Sequence, residues 1–250
     1  MKRINSAAAK DFKDKKAIIW PFLDRKTCAF LSRLVYYDSL IYFEDDDEQS
    51  PGQHSRFAQP WSEAMTVELL PTMETVTGLE LWPTYSYYRL YTSGAFLPRH
   101  IDRPSCEISL SVTLGYQFND KPDYQWPLWM ADSLWCKAKG TPVTMNIGDG
   151  AIYKGVEVQH WREKLEVADG GWQAQLFCHY VDKNGPYADR KWDFRKEGMG
   201  SHKTLEAMER TVLDYHSTEM KGGLYKEKDI RAIKRNLRED KNYKKDIMPE

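Results

Sequence analysis

The chain has 250 residues, with 36 Lys and Arg set against 37 Asp and Glu, for a net charge of −1. That is the length of one domain with extensions, and the charge balance gives no global reason to bind nucleic acid, a membrane surface or an acidic partner. The four cysteines (Cys28, Cys106, Cys136, Cys178) are scattered without a CxxC pair, so they read as reduced thiols of a cytoplasmic protein and not as a zinc site or disulfide framework. Aromatic residues are abundant, with 15 Tyr, 9 Trp and 9 Phe, which suits a sheet-rich fold with large side chains lining its interior.

The basic start, Met1-Lys2-Arg3-Ile4-Asn5, is not followed by an apolar run of signal-peptide length, and no transmembrane candidate exists. Residues 1–16 are polar and Lys-rich and are expected to form a loose arm. A helix is expected after Phe22-Leu23-Asp24, with Asp24 as N-cap and Cys28, Leu31, Leu34 and Val35 at helical spacing. Residues 44–60 hold an acidic cluster (Glu44, Asp45, Asp46, Asp47, Glu48) and read as a solvated loop, with a metal site in those acids as the alternative. A second helix is expected over about 61–77, stopping at Gly78 and bent or interrupted by Pro71.

From about 83 to 183 the texture becomes short strands alternating with turns. The candidates are 85–91, 96–102, 107–116, 126–130, 143–146, 151–153, 156–162 and 172–181. Ile108, Leu110, Val112 and Leu114 alternate with Ser109, Ser111 and Thr113, the pattern of a half-buried strand, and Gly148-Asp149-Gly150 marks a turn. About eight such strands suggest a mostly β fold with flanking helices, its core a jelly roll of the cupin type. The expected organisation is an N-terminal helical extension (1–82), a β core (83–185) and a charged helical extension (186–250) with helices near 205–215 and 226–237. The tail from Lys221 leans basic but its acids are interspersed, which favours a solvated helix over a nucleic-acid dock.

Within the β core, His100-Ile101-Asp102 is followed sixty residues later by His160. Two imidazoles and one carboxylate form the facial triad of a non-haem Fe(II) oxygenase, which leaves positions on the metal for a cosubstrate and O₂. In a strand, residues i and i+2 share a face, so His100 and Asp102 point the same way and His160 shares its face with Val156, Val158 and Arg162. A guanidinium buried beside the metal needs an anion. A dicarboxylate supplies one through a bidentate contact, which makes Arg162 the candidate anchor for 2-oxoglutarate. His54, His179, His202 and His216 lack a partnering motif and are read as packed or surface residues.

The segment 91–104, Tyr91-Thr92-Ser93-Gly94-Ala95-Phe96-Leu97-Pro98-Arg99-His100-Ile101-Asp102-Arg103-Pro104, resembles the iron-binding stretch of the prolyl 4-hydroxylase-like branch of the Fe(II)/2-oxoglutarate-dependent dioxygenases. Phe22-Leu23-Asp24 with Cys28 resembles the helix that opens those catalytic domains, and 148–153 ahead of Val158-Gln159-His160 resembles the turn and strand before the distal histidine. The resemblance covers roughly residues 20–185. It implies a double-stranded β-helix, Fe(II), 2-oxoglutarate and O₂, with ascorbate as a candidate auxiliary reductant. The implied reaction hydroxylates an unactivated C–H bond and releases succinate and CO₂, with the hard chemistry belonging to the iron. Carried across residue by residue, it makes His100, Asp102 and His160 the metal ligands and Tyr91 a hydrogen-bond partner of 2-oxoglutarate, with Tyr116 a second candidate.

One departure stands out. In this branch a Lys or Arg commonly sits about ten residues beyond the distal histidine, where this chain reads Ala168-Asp169-Gly170-Gly171-Trp172. Arg162 is the expected replacement and Lys164 the reserve. The carboxylate of Asp102 favours hydroxylation over halogenation, since related halogenases lack it. The substrate expectation is a peptidyl side chain, an amino acid or a small metabolite, with Trp126, Trp129, Trp135 and Trp161 either walling the mouth or packing the core. The alternatives are an oxidative demethylase of nucleic acid, supported only by the basic tail, a cupin-like metal protein without 2-oxoglutarate, and a metal-free structural jelly roll. Composition sets no oligomeric state.

Overall fold

A computed structural model describes residues 5–42, 49–131 and 139–195. The acidic cluster 44–48, Trp135, Cys136, His202, His216 and the expected C-terminal helices lie outside the described residues. The elements run α1 (Ser6–Lys15), β1 (Ala17–Pro21), α2 (Arg25–Ile41), β2 (His54–Phe57), α3 (Pro60–Thr77), β3 (Leu81–Thr92), β4 (Leu97–His100), β5 (Ile108–Gln117), β6 (Leu128–Ala131), β7 (Thr141–Val143), β8 (Asp149–Lys154), β9 (Gln159–Arg162) and β10 (Trp172–Asp182). A 3₁₀ turn, Pro104–Cys106, and a kinked segment, Ala188–Phe194, whose Lys191, Trp192 and Asp193 are non-helical, complete them. No helix among the described residues is long and apolar enough to cross a membrane.

The N-terminal segment is more ordered than its composition suggested. The Ser6-Ala7-Ala8-Ala9 run has high helix propensity, Asn5 caps it by accepting from the Ala8 N–H at 3.2 Å, and Ala8 and Phe12 are buried. α1 is therefore a packed helix and not a loose arm. In α2, Asp24 accepts from the N–H groups of Lys26 (2.8 Å) and Thr27 (3.0 Å), and Cys28, Leu31, Ser32 and Val35 form its buried stripe. α3 starts with Pro60 at its first turn, runs unbroken past Pro71 and ends at Gly78 in the left-handed region (φ 73°), where glycine carries no Cβ penalty.

The strands form two antiparallel sheets, a six-stranded one in the order β1-β8-β5-β10-β3-β2 and a four-stranded one in the order β4-β9-β6-β7. This is the jelly-roll, double-stranded β-helix architecture. Both edges of the larger sheet come from segments expected to hold no strand, β1 pairing with β8 and β2 with β3. These edge strands are only 5 and 4 residues long, too short for a clear alternation to stand out.

One face of the larger sheet packs under the helices. Tyr88, Leu90, Leu110, Val112, Leu114, Leu176 and Tyr180 join Phe12, Leu31, Val35, Leu69 and Met73 in the principal core. The opposite face carries Arg89, Ser109, Ser111, Thr113, Gln173, Gln175 and His179, and these are buried too. The alternation along 108–114 is thus not apolar-in and polar-out to solvent. Its polar half faces the interior between the sheets, where Gln173 donates to Gln175 (3.0 Å) and Gln175 donates to Ser111 Oγ (2.9 Å). Burial of so many polar groups is tolerable only because they satisfy one another, or a ligand does.

Candidate metal centre

β4 and β9 are neighbours in the smaller sheet, with His100 directly opposite His160 and the rings 4.2 Å apart. β4 ends at His100, so Asp102 reaches the site by a different route from simple strand alternation. Its N–H donates to Gly155 O at 2.8 Å, which pins the chain just past the strand. A Cβ on Gly155 would lie 2.4 Å from Asp102 Oδ2 and 2.2 Å from Cys106 O. Only glycine allows this approach, and nothing in the turn between β8 and β9 singled it out beforehand. Val156 belongs to that same turn, not to the strand of His160.

The two imidazoles are oriented from behind. His100 Nδ1 lies 2.7 Å from Pro98 O and His160 Nδ1 lies 3.1 Å from Val158 O. A carbonyl only accepts, so each Nδ1 carries a proton and Nε2 is the nitrogen turned toward the site. Asp102 Oδ1 stands 3.8 Å from His100 Nε2 and 3.5 Å from His160 Nε2. Its other oxygen, Oδ2, accepts from Ser109 Oγ at 2.6 Å. All three donor atoms fall within 4.8 Å of one another. Three such atoms converging in a buried space suit a cation, and this donor set suits non-haem iron.

The electrostatics agree with that fit. Burial, reinforced by the neighbouring His160, pushes His100 down to about 4, only partly opposed by Asp102. Burial would raise Asp102, but the surrounding imidazoles of His160, His179 and His100 outweigh it and hold the carboxyl well below the usual range. At neutral pH the site therefore offers a neutral His100 and an ionised Asp102, the states that metal ligation requires. A second grouping, Asp102 with Cys106 and His179, shares the same carboxylate. Burial, with Asp102 beside it, pushes the Cys106 thiol well up. It stays protonated, next to Tyr85 Oη at 3.0 Å, and a thiol in that state is a poor ligand.

Arg162, two residues beyond His160 on the same face of β9, is buried. Its Nη1 donates to Trp126 O at 2.6 Å, while Nη2 is buried with no hydrogen-bond partner. Its guanidinium lies 4.7 Å from the Trp126 ring and 5.8 Å from Tyr91. Among the described residues no carboxylate pairs with it. Burial pulls its pKa down, the direction expected of a cation awaiting an anion. Tyr91 is fully buried, accepts from Arg89 Nη1 at 2.9 Å and meets Trp126 edge-on at 5.0 Å. Tyr116 stacks on Phe118 at 5.3 Å and packs against this same aromatic cluster.

Other sequence candidates fall elsewhere. Lys164 is exposed, past the end of β9, beside Gly94. Trp129 and Trp161 stack at 6.1 Å on the face of the smaller sheet opposite His160 and Arg162, with Arg99 3.7 Å from the Trp161 ring centre. Of the described tryptophans proposed for a wall, only Trp126 adjoins Arg162. Sequence reading passed over Ser109, Tyr153 and His179. The alternating Ser109-x-Ser111-x-Thr113 was the available signal, had its polar face been assigned to the interior.

No protein-family model and no curated protein matches this sequence. Solved structures do match its fold. A prolyl-4-hydroxylase from Pseudomonas putida superposes with a TM-score of 0.53 at 18% identity, covering 71% of this chain and 98% of that one. An oxidoreductase of the 2OG-Fe(II) oxygenase family from Burkholderia pseudomallei gives 0.54 at 14% identity, covering 73% and 94%. A prolyl hydroxylase from Trichoplax adhaerens, in complex with a hypoxia-inducible-factor peptide fragment, gives 0.55 at 12% identity, covering 76% and 92%. The fold is the double-stranded β-helix that these 2-oxoglutarate–Fe(II) oxygenase structures share.

Proposed function

We propose that this chain is an Fe(II)- and 2-oxoglutarate-dependent dioxygenase. It hydroxylates an unactivated C–H bond of a peptidyl side chain, an amino acid or a small metabolite, with succinate and CO₂ as coproducts. The observation that carries the reading is the unpartnered, buried Nη2 of Arg162, on the same strand face as His160 and two residues from it. A triad alone fits several metals and reactions. A triad with a buried guanidinium that lacks an anion fits a dicarboxylate cosubstrate.

In this reading His100, Asp102 and His160 hold Fe(II), and Arg162 takes the far carboxylate of 2-oxoglutarate. Tyr91 accepts from Arg89, keeping its own hydroxyl proton to donate to the same carboxylate. Trp126 and Tyr116 close that end of the interior against water. When bound, the iron and its cosubstrate supply the oxidising chemistry, while the chain supplies position and a dry surround. A peptidyl side chain is among the substrate classes because the Trichoplax adhaerens protein of the same fold is bound to a peptide fragment.

The test is anaerobic titration of metal-free protein with Fe(II) and then 2-oxoglutarate, following the weak visible charge-transfer band of the chelate. A band that is absent in His100→Ala and weakened in Arg162→Ala supports metal, cosubstrate and anchor together. Iron binding without a band discards 2-oxoglutarate and leaves a cupin-like metal protein.

A further inference from the structure

The row of residues beneath the ligands does more than fill space. Tyr153 on β8, Ser109 on β5 and His179 on β10 are successive cross-strand partners, so they lie side by side on the interior face of the larger sheet. Tyr153 Oη is 3.5 Å from His160 Nε2. Ser109 Oγ is 2.6 Å from Asp102 Oδ2 and 3.0 Å from His179 Nδ1. The His179 ring is packed by Tyr85, centroids 4.6 Å apart.

The direction of this chain follows from valence and distance. The ionised Asp102 carboxylate and Cys106 O both only accept, and the shorter contact, 2.6 Å against 3.1 Å, takes the single Ser109 hydroxyl proton to Oδ2. Ser109 Oγ is then an acceptor toward His179, whose Nδ1 carries the proton. The chain reads His179 Nδ1–H to Ser109 Oγ–H to Asp102 Oδ2. It occupies one carboxylate oxygen and leaves Oδ1 as the one facing both Nε2 atoms.

We infer that Ser109 and His179 are positioning residues that make Asp102 a one-oxygen ligand. The inference rests on the metal reading above. A carboxylate that offers one oxygen uses one coordination position, whereas a chelating carboxylate takes two and removes a position that a facial triad otherwise leaves open. Gly155 supports the same arrangement from the other side, since it leaves no atom to push Oδ2 away from Ser109. Hydrogen-bond partners of ligands commonly change metal affinity by about 10- to 100-fold when removed.

The experiment is equilibrium titration of metal-free protein with Co(II), followed by visible absorption, for wild type, Ser109→Ala, His179→Ala, His179→Asn and the Ser109→Ala/His179→Ala double variant. Circular dichroism of each metal-free variant confirms that it is folded. Ser109→Ala is expected to weaken Co(II) binding by about 10- to 100-fold and to change the Co(II) bands, as the freed oxygen takes a position that is otherwise open. His179→Ala should act in the same direction. His179→Asn, which keeps an N–H donor near the Nδ1 position, should recover most of the loss. The double variant should be no weaker than Ser109→Ala alone, because the two residues act in series.

Unchanged affinity and absorbance in folded Ser109→Ala overturn the inference and leave the metal reading standing. Additive losses in the double variant, or no recovery in His179→Asn, remove His179 from it. If Ser109→Ala does not fold, the His179→Ala and His179→Asn pair decides. Absence of Co(II) binding by wild type overturns both this inference and the metal reading.

Discussion

His100 and His160 face each other across the β4–β9 ladder, sixty residues apart in sequence and 4.2 Å apart between ring centres. The pairing also sets Leu97 opposite Arg162, with a register shift between the two pairs. One ladder thus places both imidazoles and the candidate anchor on a rigid element. If these imidazoles and Asp102 ligate iron, His100→Ala, Asp102→Ala and His160→Ala should each cut Fe(II) affinity by about 100-fold or more and abolish turnover, since each removes a donor itself and not merely a supporting contact. The metal-free proteins should keep their circular dichroism. Wild-type affinity in any of the three removes that residue from the site.

Arg162→Ala separates cosubstrate from metal. Truncating one partner of a buried, hydrogen-bonded charge pair costs about 2–5 kcal/mol, so the 2-oxoglutarate Kd should rise by about 30-fold or more. Fe(II) affinity should change by less than about threefold, because a guanidinium has only donors and no lone pair to offer a metal. Parallel titrations of the metal and of the cosubstrate read the split. An unchanged cosubstrate Kd places the anchor elsewhere.

Gly155→Ala puts a methyl group where Asp102 Oδ2 and Cys106 O already sit, at 2.4 and 2.2 Å. Overpacking of this kind costs about 1–3 kcal/mol. The backbone carbonyl of Cys106 cannot swing aside as a side chain would, so the carboxylate is displaced. Thermal unfolding should show the destabilisation, and metal titration should show weaker binding. Normal metal affinity would mean that the Asp102 position tolerates the shift.

The metal-free protein should lose stability in mild acid. His100 and His179 are both lowered to about 4, with burial the largest cause in each case. Their unfolded forms titrate near 6.5, so between about 6.5 and 4 the unfolded chain binds more protons than the fold. The contribution is full above 6.5 and disappears as pH falls to about 4, at on the order of 3 kcal/mol for each group. Denaturant unfolding from pH 7.5 to 4.5 tests this, and His179→Asn should flatten part of the slope. A pH-independent midpoint across that window contradicts it.

Asp193, buried at the kink of the Ala188–Phe194 segment, grips Arg103 with two bonds of 2.6 and 2.8 Å. Arg103 directly follows the candidate ligand Asp102. Trp192, Asp193 and Phe194 all have positive φ (54°, 53° and 61°), a strained run that surrounding contacts must hold in place. Asp193→Ala leaves the Arg103 guanidinium buried without this carboxylate and should cost about 3–5 kcal/mol, read as a lowered midpoint in thermal or denaturant unfolding. A loss under 1 kcal/mol would show that Arg103 finds water instead.

Read alone, the chain singled out the candidate donors and most of the regular elements. His-x-Asp before a distant His is a chemical pattern that needs no coordinates, and α2, α3 and β5 follow from an N-cap, a terminal glycine and residue alternation. Three things required the tertiary structure. The first was which side of β5 is inside: the polar alternation Ser109, Ser111, Thr113 is the same whether that face meets water or a second sheet, and only the partner sheet decides. The second was the edges, because β1 and β2 form by pairing with residues at least thirty positions away in sequence. The third was the surroundings of Asp102. Gly155, Ser109 and His179 converge on one carboxylate from three separate segments, and each looks ordinary in its own local sequence. Long-range sheet register brings them together, because a ladder fixes which residues stand opposite one another, whatever their separation along the chain.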